Sequence, residues 1–303
     1  LANTKKTRSD KRYVSLDVAY GIRARVHLTM HNYADALKDA EAALASTSSV
    51  PYSSAAVSKP TFIDIEDASW MWGILITDKD RVSTTGICNF PSHMGSLNYG
   101  YASVGGWRRI SPKLYNQIPE SDVRKGWFLD DTGVSVNLPA AAQAYITKKG
   151  APVYTQVKYG PMNDEWGSNN NATDVILMRV EEMYLIKAEA QAMNNDVSGG
   201  VNTLNSFVNT YRDPSYKCTA TTGEAVQEAV WHQRRIEFWG EGLAYFDIMR
   251  LNKGVNRLGC GFPKTAVFNI AAGDPVQIYS IPNKEVPVSY THLRAHETSA
   301  HLV

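Results

Sequence analysis

Residues 229–250 read AVWHQRRIEFWGEGLAYFDIMR. Helix-forming runs alternate with fixed charges, and a Gly240-Glu241-Gly242 break sits in the middle. Arg234, Arg235, Glu237, Glu241, Asp247 and Arg250 are interleaved with Ile236, Phe238, Trp239, Tyr245, Phe246, Ile248 and Met249. Apolar side chains at that density draw the segment into a core. The charges carried in with them need partners, because unpaired buried charge is costly. The stretch therefore predicts two helices meeting at the Gly240/Gly242 break and tied by an Arg, Glu and Asp network. That network is structural, not catalytic.

Two more helical pairs lie outward from this one. Residues 13–30 place Leu16, Ala19, Ile22, Ala24, Val26 and Met30 on a helical period, and His31-Asn32 breaks it. Residues 33–45 continue with Ala34, Ala36, Leu37, Ala40, Ala43 and Leu44, small residues that let helices approach closely. From Val175 to Tyr211 an apolar helix, an Asn194-Asn195-Asp196 turn and a second helix with Leu204, Phe207 and Val208 make another pair, ended by Asp213-Pro214. The fold class is therefore mainly α, a scaffold of helical hairpins at 13–45, 175–212 and 224–252. It carries a long irregular insert at 46–173 with short strands. Phe62 to Glu66, Trp70 to Thr77 and Val153 to Tyr159 read as those strands, and Lys113 begins a short helix.

Net charge is +1 with 20% charged residues, which gives no case for nucleic acid or an anionic membrane surface. No apolar run reaches the ~18 residues needed to span a bilayer. Cys88, Cys218 and Cys260 are scattered and show neither metal spacing nor a disulfide framework. His27/His31 and His292/His296 sit four apart, but the first pair reads as a helix end and the second falls in an anomalous tail. No metal or cofactor is expected. The chain starts at Leu1 with no basic or apolar leader, and residues 288–303 read as non-native sequence resembling translated adapter read-through. The expected organisation is one domain over 1–287, incomplete at its N-terminus, followed by that tail.

No phosphate loop, GxSxG, Cys/His pair or HExxH occurs. Acid clusters stand at Asp64/Glu66/Asp67, at Asp130/Asp131, and at Asp164/Glu165 beside Trp166; they keep a glycoside hydrolase open as a lesser alternative. The chain has 7 Trp and 16 Tyr, and aromatic rings suit the C–H faces of sugars where polar groups stand nearby. The ligand-binding candidates are Tyr99, Tyr101, Trp107, Trp70, Trp72 and Asn98, with Asn89 as a further polar partner. Tyr99, Tyr101 and Trp107 lead, because their loop is Gly-rich and reads as exposed. Trp70 and Trp72 are two apart, so in a strand they share one face and serve equally well as core.

Residues 33–45, with Asn-Tyr, alanine steps and Pro51 beyond, resemble a tetratricopeptide helix pair. The stretch at 229–250, with Arg-Arg-x-Glu, Glu-Gly and Phe-Asp-x-x-Arg, resembles the C-terminal signature of the SusD/RagB family. Asp122-Val-Arg124 before Trp127-Phe128, Lys158-Tyr159, and Arg179 with Glu182, Leu185, Ala188, Glu189 and Ala190 match the same family in order. So do Val201 to Asn205 and Ile281-Pro282 with Glu285. The resemblance implies a non-enzymatic, lipid-anchored protein on the cell surface at the outer membrane. It would capture oligosaccharide or polysaccharide (peptide in some relatives) for a SusC-like TonB-dependent transporter. Its only membrane attachment would be an N-terminal lipid anchor missing from this chain. A tetratricopeptide-type protein-interaction adaptor is the alternative.

Overall fold

The computed structural model of the chain describes residues 9–83 and 89–279. Helices α1 (Leu16–Thr29) and α2 (Tyr33–Ser46) form the first hairpin. The chain reverses through His31, which adopts a left-handed conformation with φ 61°. Ala24, Ala36, Ala40 and Ala43 are fully buried between the helices, so the close approach predicted from small residues is present.

The insert carries α3 (Ser54–Val57), strand β1 (Trp70–Ile74), α4 (Phe90–Met94), α5 (Pro112–Tyr115) and α6 (Ala140–Lys148). Strand β2 (Val175–Arg179) runs directly into α7 (Val180–Met193), followed by α8 (Val197–Tyr211), α9 (Gly223–Glu237) and α10 (Ala244–Arg250). A small ladder pairs β3 (Val255–Asn256) with β4 (Asn269–Ile270). Helix α7 is central, packing against α2, α8 and α9. Its side chains are buried on almost every face, including Glu181, Glu182 and Glu189.

Several boundaries differ from the sequence reading. Residues 175–179 are a strand antiparallel to β1, not the start of a helix. A short apolar run has no period of its own, and the partner strand decides its state. Residues 62–66 and 153–159 are not strands. They make isolated bridges, Thr61 to Tyr159, Arg109 to Thr155 and Phe128 to Gln156. Phe62 and Tyr154 sit at φ 62° and 66°, which kinks each segment out of extended backbone. Helix α6 lies inside the insert at a stretch where no helix was expected, beyond the short one foreseen at Lys113.

The charges of 229–250 find partners, and most of these come from elsewhere in the chain. Glu237 accepts from Arg212 Nε (2.8 Å) and Nη2 (2.8 Å), Arg179 Nη1 (3.1 Å) and Arg124 Nη1 (3.3 Å). Arg179 also bridges Glu181 (3.0 Å) and Glu241 (2.9 Å). Lys158 Nζ donates to Glu241 (2.6 Å) and to the carbonyls of Glu237 (3.0 Å) and Trp239 (3.1 Å). Four cations (Arg124, Lys158, Arg179, Arg212) thus face four carboxylates (Asp122, Glu181, Glu237, Glu241), and their charges cancel. Burial raises the Glu237 carboxyl, but the Arg212, Arg179 and Arg124 guanidiniums outweigh it and hold the group well below the usual range. Burial also pulls Lys158 down to about 8, against the opposing pull of Glu241. A second group ties α10 back: Asp247 bridges Arg234 (2.8 Å) and Arg250 (2.8 Å), and Arg250 reaches Glu189 (2.5 Å). Arg235 joins neither group; its guanidinium stacks 4.8 Å from the Trp231 ring centroid.

Gly240 and Gly242 make the break at φ 81° and 82°. A Cβ on Gly240 would lie 2.7 Å from Met94 Cε and 3.0 Å from Tyr159 Oη, so this glycine also permits the insert to touch the helical turn.

Candidate functional site

The loop carrying the leading candidates is clamped at its base. Asn89 caps α4 by accepting the Ser92 N–H (2.7 Å), and Ser92 Oγ accepts the N–H of Tyr101 (2.9 Å). Gly100 lies so close to Ser92 that a Cβ would sit 2.7 Å from its Oγ. Tyr99 N–H donates to the Ser168 carbonyl (2.8 Å), and Gly167 N–H donates to that of Leu97 (2.8 Å). Leu97 is fully buried with Leu129, Ile146 and Val157. A rigid base with a short irregular crest leaves the tyrosine side chains outside: Tyr99 is 51% exposed and Tyr101 42%.

Both rings have cationic neighbours. Lys149 Nζ lies 5.3 Å from the Tyr99 ring centroid, and the Arg108 guanidinium 5.7 Å from that of Tyr101. His93 stacks on Tyr101 at 4.6 Å and 23°. The arrangement offers aromatic surface with donors beside it, which suits a hydroxyl-bearing ligand.

Asn98 is placed differently from expectation. It is 1% exposed, donates from Nδ2 to Asn171 Oδ1 (3.2 Å), and accepts the Tyr145 hydroxyl on its carbonyl (3.1 Å). It props the crest from below, and its Oδ1 is buried with no hydrogen-bond partner among the described residues. Trp107 is half-buried against the Leu97 cluster and borders a cavity of about 180 Å³ with Arg109, Tyr154 and Phe262.

Trp70 takes the core placement that the sequence left open. It is fully buried, and its Nε1 donates to the Tyr52 hydroxyl (2.7 Å) inside the aromatic core of Phe62, Trp127 and Phe128. Trp72 is half-buried against a different cluster, the α1–α2–α7 core. The two do not share a face, because the β1–β2 register slips between them: Trp70 pairs with Arg179 and Trp72 with Met178. Neither joins the tyrosine crest.

A second concavity, of about 490 Å³, was not anticipated as a site. It lies among Tyr115, Asn116, Asp130, Asp131, Asn137 and Tyr154. Tyr154 borders both this cavity and the one at Trp107. Asp130 and Asp131 were legible as an acid pair; the kink that brings Tyr154 over them was not. Of the other acids, Asp164 and Glu165 are exposed, while Asp67 accepts the Tyr52 hydroxyl (2.5 Å). Among the described residues no group of three His, Cys, Asp or Glu side chains is placed to hold a metal ion. His31 Nε2 instead lies 2.8 Å from the Arg250 carbonyl. Among the described residues no helix is long and apolar enough to cross a membrane. Cys88, His292/His296, Ile281-Pro282 with Glu285, and the 288–303 tail lie outside the described residues.

The fold is shared with several solved structures. A SusD superfamily protein from Bacteroides thetaiotaomicron superposes with a TM-score of 0.74 at 21% identity, over 95% of this chain and 61% of its own. A SusD-like carbohydrate binding protein from Bacteroides vulgatus gives 0.70 at 21%, over 93% and 60%. A further SusD superfamily protein from that organism gives 0.70 at 19%, over 93% and 59%. The chain thus spans about six-tenths of the length of these structures. No curated protein sequence matches it. The sequence model of the SusD family matches residues 112–288, more than half of the chain and the whole run from α5 through the buried ion network to α10. The chain therefore belongs to the SusD family.

Proposed function

We propose that this chain is a non-catalytic glycan-binding protein of the cell surface that captures oligosaccharide or polysaccharide on the Tyr99/Tyr101 crest. The observation that carries the reading is the pair of half-exposed tyrosine rings held on a clamped loop with Lys149 and Arg108 beside them. Family membership and the likeness to the Bacteroides vulgatus SusD-like carbohydrate binding protein support it. Sugar C–H faces pack on the rings, and the flanking cations and backbone groups hydrogen-bond hydroxyls. In this reading the full-length protein is lipid-anchored at the outer membrane and passes the glycan to a SusC-like TonB-dependent transporter. Residues 1–287 act as one domain, and 288–303 take no part.

Isothermal titration against a panel of soluble polysaccharides tests the capture step. Tyr99→Ala and Tyr101→Ala should each weaken binding about tenfold, and chromatography of the bound glycan should show no shortened product. Unchanged affinity in the double variant refutes the site; released reducing ends refute the non-catalytic reading.

A second reading, a helical protein-interaction adaptor, draws on the groove of about 420 Å³ between α1 and α10. Val26, Met30 and Phe246 line it and are 49%, 63% and 59% exposed. Absence of glycan binding together with stable co-purification of a defined barrel protein would favour it.

A further inference from the structure

The 490 Å³ cavity differs from the tyrosine crest in the sign of its charge. Two tyrosines form part of its wall, Tyr115 and Tyr154, with ring centroids 5.1 Å apart. Burial, with Asp130 and Glu120 nearby, pushes the Tyr115 hydroxyl up to about 12, so it stays protonated. Five charged side chains border the space: Glu120, Asp122, Lys125, Asp130 and Asp131. Lys125 lies 5.1 Å from the Tyr115 ring centroid but is paired with Glu120, and Asp122 is paired with Arg124 at 2.6 Å, so these four charges cancel. Asp130 and Asp131 remain, with no ion pair among the described residues. Asp130 Oδ1 accepts from the N–H (2.8 Å) and hydroxyl (2.6 Å) of Thr132 and from Val134 N–H (3.0 Å), which fixes the turn. Burial raises its carboxyl, and these bonds outweigh burial and keep it ionised. Asp131 is exposed and serves no such structural purpose. Asn116 is exposed as well, and Asn137 is buried; both add amide groups to the lining.

We infer that this cavity is a second saccharide subsite, one that selects sugars bearing a protonated amine over those bearing carboxylate or sulfate. The inference rests on the glycan-binding reading above. The volume falls in the range of small-ligand sites. Tyrosine rings and asparagine amides supply the stacking and hydroxyl contacts, and the two uncompensated carboxylates set the sign. Tyr154, which also borders the space at Trp107, would let one extended glycan run between the two cavities. The crest, with Lys149 and Arg108, would have the opposite preference.

Titration calorimetry on the full chain at mildly acidic pH and low salt tests this with three oligomers of equal length: glucosamine, N-acetylglucosamine and galacturonate. In a Tyr99→Ala/Tyr101→Ala background, which silences the crest, the glucosamine oligomer should bind more tightly than the galacturonate, and the variants below are made in that background. Asp131→Asn should weaken the glucosamine oligomer about fivefold, the worth of one close charge pair in high dielectric, and leave the N-acetylated oligomer unchanged. Asn116→Ala should weaken both of those oligomers. Asp131→Lys should reverse the preference between glucosamine and galacturonate. Because Asp131 is exposed and makes no side-chain hydrogen bond or ion pair among the described residues, these variants should fold, with melting temperature as the check. An amine preference that survives Asp131→Lys overturns the subsite, even if Tyr101→Ala alone still weakens neutral glycan binding about tenfold. Failure of the wild type to bind any polysaccharide in the wider panel instead sinks the glycan reading itself, and the subsite with it.

Discussion

Replacing Glu237 by Gln should destabilise the protein more than any surface change. The carboxylate is fully buried and accepts from three arginines, Arg124, Arg179 and Arg212. Four buried cations are then left facing three carboxylates, Asp122, Glu181 and Glu241, so one positive charge loses its counterion inside the core. The new amide also turns an N–H₂ toward guanidinium donors. Breaking a buried pair by removing one partner costs about 3–5 kcal/mol, a large part of the ~5–15 kcal/mol that holds a folded domain. At ~2 °C per kcal/mol for a chain of this size, the melting temperature should fall by about 6–10 °C. Differential scanning calorimetry and urea unfolding followed by tryptophan fluorescence measure the loss. Adding Arg212→Met should restore part of it, because the cation with the most bonds to Glu237 is then gone. A Glu237→Gln protein melting within about 2 °C of wild type would refute the claim that Glu237 balances a buried cation in this network.

Three further outcomes follow from the same geometry. Gly240→Ala should cost more than Gly242→Ala. Both stand at φ near 80°, worth about 1–2 kcal/mol, but only Gly240 also meets Met94 and Tyr159, while Gly242 faces open space; comparative urea midpoints decide it. Glu237, Glu241 and Asp247 are all held below their ordinary values by adjacent guanidiniums although burial acts the other way. Their stabilisation is therefore complete above the ordinary glutamate value of 4.5 and disappears as pH falls through the depressed folded values. Thermal scans should show a steep acid limb below that point, shallower in Glu237→Gln. Lys158 titrates near 8 when folded against 10.5 when free, so the unfolded chain holds the extra proton between those values. Stability from this group rises with pH across that window, and the difference between wild type and Lys158→Met should follow that slope.

The helical pairs were legible because alanine steps, turn residues and Pro214 mark them locally. So was the need for an ion network at 229–250, since charge at that apolar density has no other resolution. Its partners were not, because Arg124, Lys158 and Arg179 lie 113, 79 and 58 residues from Glu237, and no local pattern encodes such pairings. The crest at Tyr99 and Tyr101 was readable from glycine-rich composition. Trp70 and Trp72 were misplaced through strand alternation, which one register slip undoes. The larger cavity depends on a left-handed tyrosine at 154, a conformation that side-chain identity does not announce.

The buried network also sets an order of events at the ribosome. Arg124 must wait for Glu237, 113 residues later, which at about 5–20 residues per second is roughly 6 to 23 s of synthesis. During that interval Arg124 has Asp122 but not Glu237, and Lys158 has no carboxylate until Glu241 is made. The buried contacts of Arg124, Arg179 and Arg212 can therefore close only after α9 leaves the exit tunnel. A nascent chain stalled before that helix would hold Arg124 and Lys158 without Glu237 and Glu241, and would be a natural client for a holding chaperone.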